Sequence, residues 1–173
     1  MNLLERFRKT RVFAFDVDGV LTDGRVYLHT DGEQVRAMNI KDGFALQLAV
    51  RKGYRIVVIS GSYSEPVIKR LNKLGIVDVF MQVENKVDVL NEYLKTIGEE
   101  ASAVLFMGDD IPDFAVMKSV GFAAAPNDAV DEVKEIAHYI SRFPGGAGCV
   151  RDVLETVLKL NGDWEKYTEV KSM

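Results

Sequence analysis

The sequence has a single cysteine, Cys149. One thiol cannot close an internal disulfide; this fits a reducing compartment and points to the cytoplasm. No catalytic partner is in view for it, so it reads as a small packing residue. Histidine is scarce too. His29 and His138 stand far apart, make no metal motif, and read as ordinary hairpin and strand-edge residues. No apolar run approaches the roughly 20 residues that span a bilayer, which argues against membrane association. The segment from Met1 to Arg11 is charged and lacks the apolar core of a secretory leader. There is no long basic block and the formal net charge is −4, which argues against nucleic acid as a partner. Internal repeats and low-complexity segments are also absent.

What is present is the composition of a soluble globular chain. A length of 173 residues, 47% of them hydrophobic and 28% charged, is enough for one domain with a proper core. Strand-like and helix-like segments alternate, which predicts an α/β fold: a doubly wound, mostly parallel sheet with helices on both faces. The strands are expected over 12–16, 54–60 and 104–107, with shorter ones over 77–83 and 121–125. Their near-continuous apolar runs suit strands covered on both sides. Helices are expected over 43–52, 65–74, 86–97, 112–119, 129–137 and 151–160. The stretch 25–39, with Asp31-Gly32 at its turn, reads as a β-hairpin projecting as a small flap. Residues 162–173 read as a loosely held tail.

Four segments carry candidate chemistry. Asp16 and Asp18 lie two apart where the first apolar strand ends. A lone Asp before Gly is commonly a turn or cap residue, but paired carboxylates at a buried strand end call for a compensating cation. One of the two can attack while the other moves protons. Ser60-Gly61 ends the second apolar strand, where a hydroxyl and an amide can hold a phosphate oxygen, although Ser-Gly is more often a plain loop. Lys86 opens a helix; it is either a solvated surface lysine or a point charge for a phosphate. The run Gly108-Asp109-Asp110-Ile111-Pro112-Asp113 ends the third strand. Its carboxylates suggest a cation, a helix cap, or both.

Taken in order, strand–DxDG, strand–Ser-Gly, Lys at a helix start and strand–GDDxxD resemble the haloacid dehalogenase superfamily of phosphotransferases over nearly the whole chain. The stretches DVDGVLTDG, NIKDGFAL, NKVDVL, GDDIPD and PGGAGCVRD are similar to a branch of that superfamily without a separate cap domain. Within that branch they look like the small phosphatases of 3-deoxy-D-manno-octulosonate 8-phosphate. The resemblance implies a magnesium-dependent phosphomonoesterase of lipopolysaccharide precursor synthesis, working through an aspartyl-phosphate. Asp16 would be the nucleophile and Asp18 the acid and base. Magnesium would be held by the Asp16 carboxylate, the Asp18 backbone carbonyl and Asp109. Ser60, Gly61 and Lys86 would bind the phosphoryl oxygens. Asp113 would orient Lys86 or a metal water, and Asp110 would do the same or cap the helix. Lys41, Asp42 and Arg70 match charged positions of the family and are candidate contacts for the sugar acid. Arg151 would reach a neighbouring site or pair locally. The family assembles as a homotetramer through its hairpins, which implies the same here.

One position departs from the pattern: Ser62 stands where the branch often has arginine. A phosphatase of a 9-phosphorylated nonulosonate is the enzymatic alternative. A signalling receiver domain is disfavoured because its phosphorylated Asp lies on a later strand than its acidic pair. A non-catalytic oligomerisation module is disfavoured because both Asp16 and Asp18 are present.

Overall fold

The computed structural model describes residues 1–164. Its centre is β1 (Val12–Phe15), a strand with no exposed residue, which pairs in parallel with β4 (Arg55–Ile59) on one side and β6 (Val104–Met107) on the other. With β5 (Asp78–Phe80), β7 (Phe122–Ala125) and β8 (Tyr139–Ile140) they form a six-stranded parallel sheet in the order β5-β4-β1-β6-β7-β8. The chain reverses its direction of travel across the sheet at β1. In doubly wound folds such a reversal opens a crevice at the carboxyl ends of the strands. The register Phe15↔Val58 and Phe15↔Met107 brings the ends of β4, β1 and β6 level at that edge.

Successive side chains of a strand point to opposite faces, and both faces here are apolar. Phe13, Phe15, Ile56, Val58, Leu105 and Met107 face α1 (Leu3–Lys9), α2 (Ile40–Arg51), α3 (Glu65–Lys73) and α7 (Cys149–Leu160). Val12, Ala14, Val57, Ile59, Val104 and Phe106 face α4 (Lys86–Ile97), α5 (Phe114–Ser119) and α6 (Asp131–Ile136). Each fully buried side chain of this size contributes about 1.5–3 kcal/mol.

The expected strands and helices form, with most ends moved by one to three residues. Helix α2 begins earlier than expected because Asn39 caps it, its side chain accepting from the Lys41 amide at 2.8 Å. Two elements were not legible as such. Helix α1 arises from a reciprocal cap between Asn2 and Glu5 and buries Phe7 edge-on against Phe122 and Tyr139. Strand β8 is only two residues long, too short to show a period. The hairpin forms from β2 (Tyr27–Leu28) and β3 (Gln34–Val35), with Gly32 at φ +88° in its turn. A bridge between Thr22 and Met38 ties its base beside the end of β1. Of the expected tail, 165–173 lie outside the described residues. Residues 162–164 are not loose: Asp163 accepts from the Tyr54 hydroxyl at 2.7 Å, and Trp164 packs edge-on against Phe44.

Candidate active site

At the end of β1 the chain leaves the sheet through a wide turn, Val17–Leu21, in which Gly19 takes φ +85°. That left-handed conformation suits glycine, and a Cβ here would also collide with the Asp109 carboxylate. Thr22 fastens the turn from inside. Its hydroxyl accepts from the amides of Gly19 and Gly24 at 3.4 and 3.3 Å and donates to the Val17 carbonyl at 3.3 Å. The glycine-rich loop before α7 packs against the same turn. The Gly146 amide and the Cys149 thiol both donate to the Val20 carbonyl, at 3.0 and 3.3 Å. A side chain at Gly145 would strike the Gly19 carbonyl. Cys149 is buried, with its thiol pushed up by burial and by Asp42, which suits packing rather than chemistry.

The turn sends its two carboxylates to different surroundings. Asp16 is buried and faces Lys86, the first residue of α4, whose side chain is only 5% exposed. The Lys86 ammonium lies 2.8 Å from Asp16 Oδ1 and 2.7 Å from Asp113 Oδ1. Lys86 is thus a buried site lysine and not a solvated one. Burial pulls its ammonium down, but Asp113 and Asp16 together carry it above the ordinary lysine range. Asp113 Oδ2 accepts from the Asp109 amide at 3.1 Å, so both of its oxygens are in use. Asp110 is exposed and accepts from the Ile111 amide at 2.7 Å, which makes it the cap of the one-turn segment before α5.

Asp18 points the other way, toward the hairpin. Arg36 grips its carboxylate with Nε at 2.6 Å from Oδ1 and Nη2 at 3.3 Å from Oδ2. The Ser62 hydroxyl adds a bond to Oδ2 at 2.8 Å. Ser60 is buried beside them, its hydroxyl 3.1 Å from that of Ser62. Gly61 follows at the exposed end of β4. Sequence reasoning missed Arg36 and Thr22 as site residues and recorded Ser62 only as a departure. The one signal for Arg36 was its place on a hairpin expected to overhang the site.

The carboxylates of Asp16, Asp109 and Asp113 each place an oxygen within 4.8 Å of the others. Asp109 Oδ1 is buried and has no hydrogen-bond partner. Burial and then Asp113 push the Asp16 carboxyl up to about 6, against the pull of Lys86. Burial, Asp113, Asp16 and Asp110 push Asp109 to about 8. Lys86 therefore does not neutralise the cluster. An oxygen-seeking dication fits the cluster; Asp16 and Asp109 could hold it, since both Asp113 oxygens already have partners.

The candidate sugar contacts fall in three places. Arg70 lines a cavity of about 590 Å³ between the hairpin and α3, with Arg36, Met38, Tyr63 and Ser64. Lys41 and Arg151 line a different cavity, of about 570 Å³, beside α7. Arg151 is engaged locally: it pairs with Glu155 at 2.8 Å and lies over the Phe44 and Trp164 rings. Asp42 is not placed for substrate. It is 1% exposed and caps α7 from another helix, accepting from the Arg151 amide at 2.7 Å. Its charge at the start of α2 suggested a ligand contact, but its partners come from 109 residues away. Its second oxygen is buried without a partner, and burial pushes the carboxyl up to about 6.

The sequence and the fold have counterparts among known proteins. A family model for haloacid dehalogenase-like hydrolases matches residues 71–149. The 3-deoxy-D-manno-octulosonate 8-phosphate phosphatase of Yersinia pestis is 32% identical over 157 residues, covering 91% of this chain and 84% of that protein. The chain belongs to this phosphatase family of haloacid dehalogenase-like hydrolases. The Escherichia coli K12 phosphatase of the same name is 31% identical, covering 93% of this chain and 86% of its own. The Yersinia pestis family member also has a crystal structure that superposes with a TM-score of 0.94, at 31% identity, over 99% of this chain and 92% of that one. A Moraxella catarrhalis member of the family, solved with magnesium, phosphate and KDO, superposes with a TM-score of 0.88. It is 30% identical and covers 91% of this chain and 90% of its own. Among the described residues, no helix is long and apolar enough to cross a membrane.

Proposed function

We propose that this protein is a magnesium-dependent phosphomonoesterase that hydrolyses 3-deoxy-D-manno-octulosonate 8-phosphate to the free sugar acid and phosphate. The observation that carries the proposal is the convergence of Asp16, Lys86, Ser60 and the partnerless Asp109 oxygen at one strand edge. The family's Moraxella catarrhalis structure, which holds magnesium, phosphate and KDO, supports the substrate and the ion.

Asp16 attacks phosphorus, and the bond to the sugar oxygen breaks as an aspartyl-phosphate forms. Asp18 gives that oxygen its proton. Asp18 then takes a proton from a water that attacks the phosphoryl group and releases the Asp16 carboxylate. Ser60, the Gly61 amide and Lys86 hold the phosphoryl oxygens in line. Asp113 keeps Lys86 aimed at them while Asp16 is covalently occupied. Asp16, the Asp18 carbonyl and Asp109 would hold magnesium, which when bound would supply the charge neutralisation that phosphoryl transfer needs.

A phosphate-release screen over sugar phosphates, with and without magnesium, tests this reading. The eight-carbon acid phosphate is expected to give the largest kcat/KM. A larger value for a 9-phosphorylated nonulosonate would reassign the substrate, and no magnesium-dependent turnover of either would overturn the reading. The same proposal places the protein in the cytoplasm, in lipopolysaccharide precursor synthesis, as a homotetramer. Supporting the assembly is a hairpin with exposed apolar residues at its strands, Leu28 being 77% exposed. Sedimentation at micromolar concentration is expected to give a tetramer. A fully active monomer would exclude it.

Ion binding should also be visible in stability. The Asp16 and Asp109 carboxyls are raised above their unfolded value, so their contribution is present at low pH. It is lost as pH rises through about 6 and about 8. Without magnesium the melting temperature is therefore expected to fall from pH 5.5 to pH 8.5. Magnesium at 100 times its Kd adds about 2.7 kcal/mol, or about 5–10 °C for a chain of this size. Because binding displaces protons from these groups, thermal melts should show a larger magnesium shift at pH 8.5 than at pH 5.5. Equal shifts would place the ion elsewhere.

A further inference from the structure

The Asp18 carboxylate is the group that must exchange protons with the sugar oxygen, yet it is tied up. Its two oxygens take the Nε and Nη2 of Arg36 and the Ser62 hydroxyl. A carboxylate in a forked pair with guanidinium has its lone pairs directed at the donors. In that arrangement both oxygens face the hairpin and Ser62, and neither is free to reach the sugar oxygen or a water at phosphorus. The pair must open before each turnover.

Arg36 cannot simply let go. Its side chain is 3% exposed, and its other hydrogen-bond partner among the described residues is the Gln34 carbonyl, 3.4 Å from Nη1. A buried guanidinium without an anion is strongly disfavoured, so release demands a replacement. The replacement has to be a planar anion of the same shape, arriving through the cavity that Arg36 itself lines with Tyr63, Ser64 and Arg70. A phosphate ester of a neutral alcohol brings no such group once its phosphate sits on Lys86 and Ser60. A sugar-acid phosphate brings a second anion, its carboxylate, at the far end.

We propose that Arg36 is an exchange latch: it restrains Asp18 until the carboxylate of the substrate takes the place of Asp18 on its guanidinium. This rests on the sugar-acid reading above. It makes Arg36 both a positioning residue for Asp18 and a determinant of specificity for acidic sugars. Discrimination acts through the state of Asp18 as well as through binding. The hairpin becomes part of the chemistry, because it carries the latch. The departure at Ser62 fits the same picture: where the branch often has arginine on the β4 side, the cation in this chain comes from the hairpin.

The test compares wild type, Arg36→Ala and Arg36→Lys on two substrates, 3-deoxy-D-manno-octulosonate 8-phosphate and p-nitrophenyl phosphate. The second has no carboxylate to exchange with Asp18, so its turnover depends on unassisted opening of the pair. Removing the latch frees Asp18, so Arg36→Ala is expected to raise kcat for p-nitrophenyl phosphate by about threefold to tenfold, a small part of what acid–base groups contribute. The same variant is expected to lower kcat/KM for the sugar-acid phosphate by about 100-fold, the usual scale for truncating one partner of a buried charge pair. Arg36→Lys keeps the charge and loses the fork, so it should lie between the two on both substrates. Parallel losses on both substrates would show a structural role and overturn the proposal. A loss on the sugar acid with no gain on p-nitrophenyl phosphate would also overturn it, leaving Arg36 as a binding contact only. If wild type turns over no sugar-acid phosphate, the functional reading fails. The p-nitrophenyl phosphate arm then still decides whether Arg36 restrains Asp18.

Discussion

Asp16→Asn should eliminate turnover, by at least about 10⁴-fold in kcat, while leaving the protein as stable as before or more so. The amide cannot form the acyl-phosphate, and no other carboxylate stands where Asp16 does. Asp113 has both oxygens occupied and Asp18 faces the hairpin. The stability half follows from what surrounds Asp16. Its charge is disfavoured by burial and by Asp113, which push the carboxyl up to about 6. At pH 7.5 the folded protein holds an anion there against that preference. Asparagine removes the charge and keeps an oxygen for Lys86, and Lys86 keeps Asp113 at 2.7 Å. A gain of about 1 kcal/mol would raise the melting temperature by about 2–4 °C. Phosphate release by single-turnover assay and a thermal melt without magnesium check both halves. Undiminished release would remove Asp16 from the nucleophile's role. A large loss of stability would show that its charge holds the site together.

The two carboxylates of the catalytic turn are close in sequence and unlike in setting. A strand would have put residues two apart on one face. The turn breaks that rule, with Gly19 at φ +85°, and sends Asp16 to a lysine on α4 and Asp18 to an arginine on the hairpin. One environment is dry and shared with two further carboxylates, and the other is governed by a single cation. This asymmetry suits one group to attack and the other to move protons.

Most of the sheet was legible in the sequence because every central strand is covered on both faces. Double coverage leaves uninterrupted apolar runs, such as Val104–Met107. The meeting of Asp16, Ser60 and Asp109 was legible for a related reason: in a parallel sheet, adjacent strands end at the same edge. What could not be read is whatever depends on a distant partner. Asp42 carries the charge of a ligand contact, but α7 turns it into an internal cap. Arg36 looks like any polar residue of a short hairpin until the fold brings Asp18 beneath it. Helix α1 was not read because its Asn2–Glu5 cap closes a helix of only seven residues, whose burial depends on Phe7 finding Phe122 from far along the chain.

Lys86→Met separates the two tasks that one side chain performs. In the folded protein Lys86 is the buried cation between Asp16 and Asp113. Removing one partner from such a cluster costs about 3–5 kcal/mol, because the carboxylates left behind are dry and mutually repelling. For a chain of this size that is a fall in melting temperature of about 10 °C. In the reaction Lys86 is a donor to the phosphoryl oxygens, and losing one such donor costs about 10²–10³ in kcat. The measurements can be pulled apart. Magnesium should offset part of the stability loss, since a dication on Asp16 and Asp109 compensates the same carboxylates, but it cannot supply the missing donor. Adding Asp113→Asn to Lys86→Met removes one stranded charge and should restore much of the melting temperature with no recovery of kcat. If that double variant did regain activity, Lys86 would be only the counterion of Asp113, and the phosphoryl group would depend on Ser60 and the Gly61 amide alone. If Lys86→Met melted like wild type without magnesium, the acidic cluster would have to relax into water when its cation is lost. The burial of Asp113 beneath the Asp109 amide argues against that relaxation.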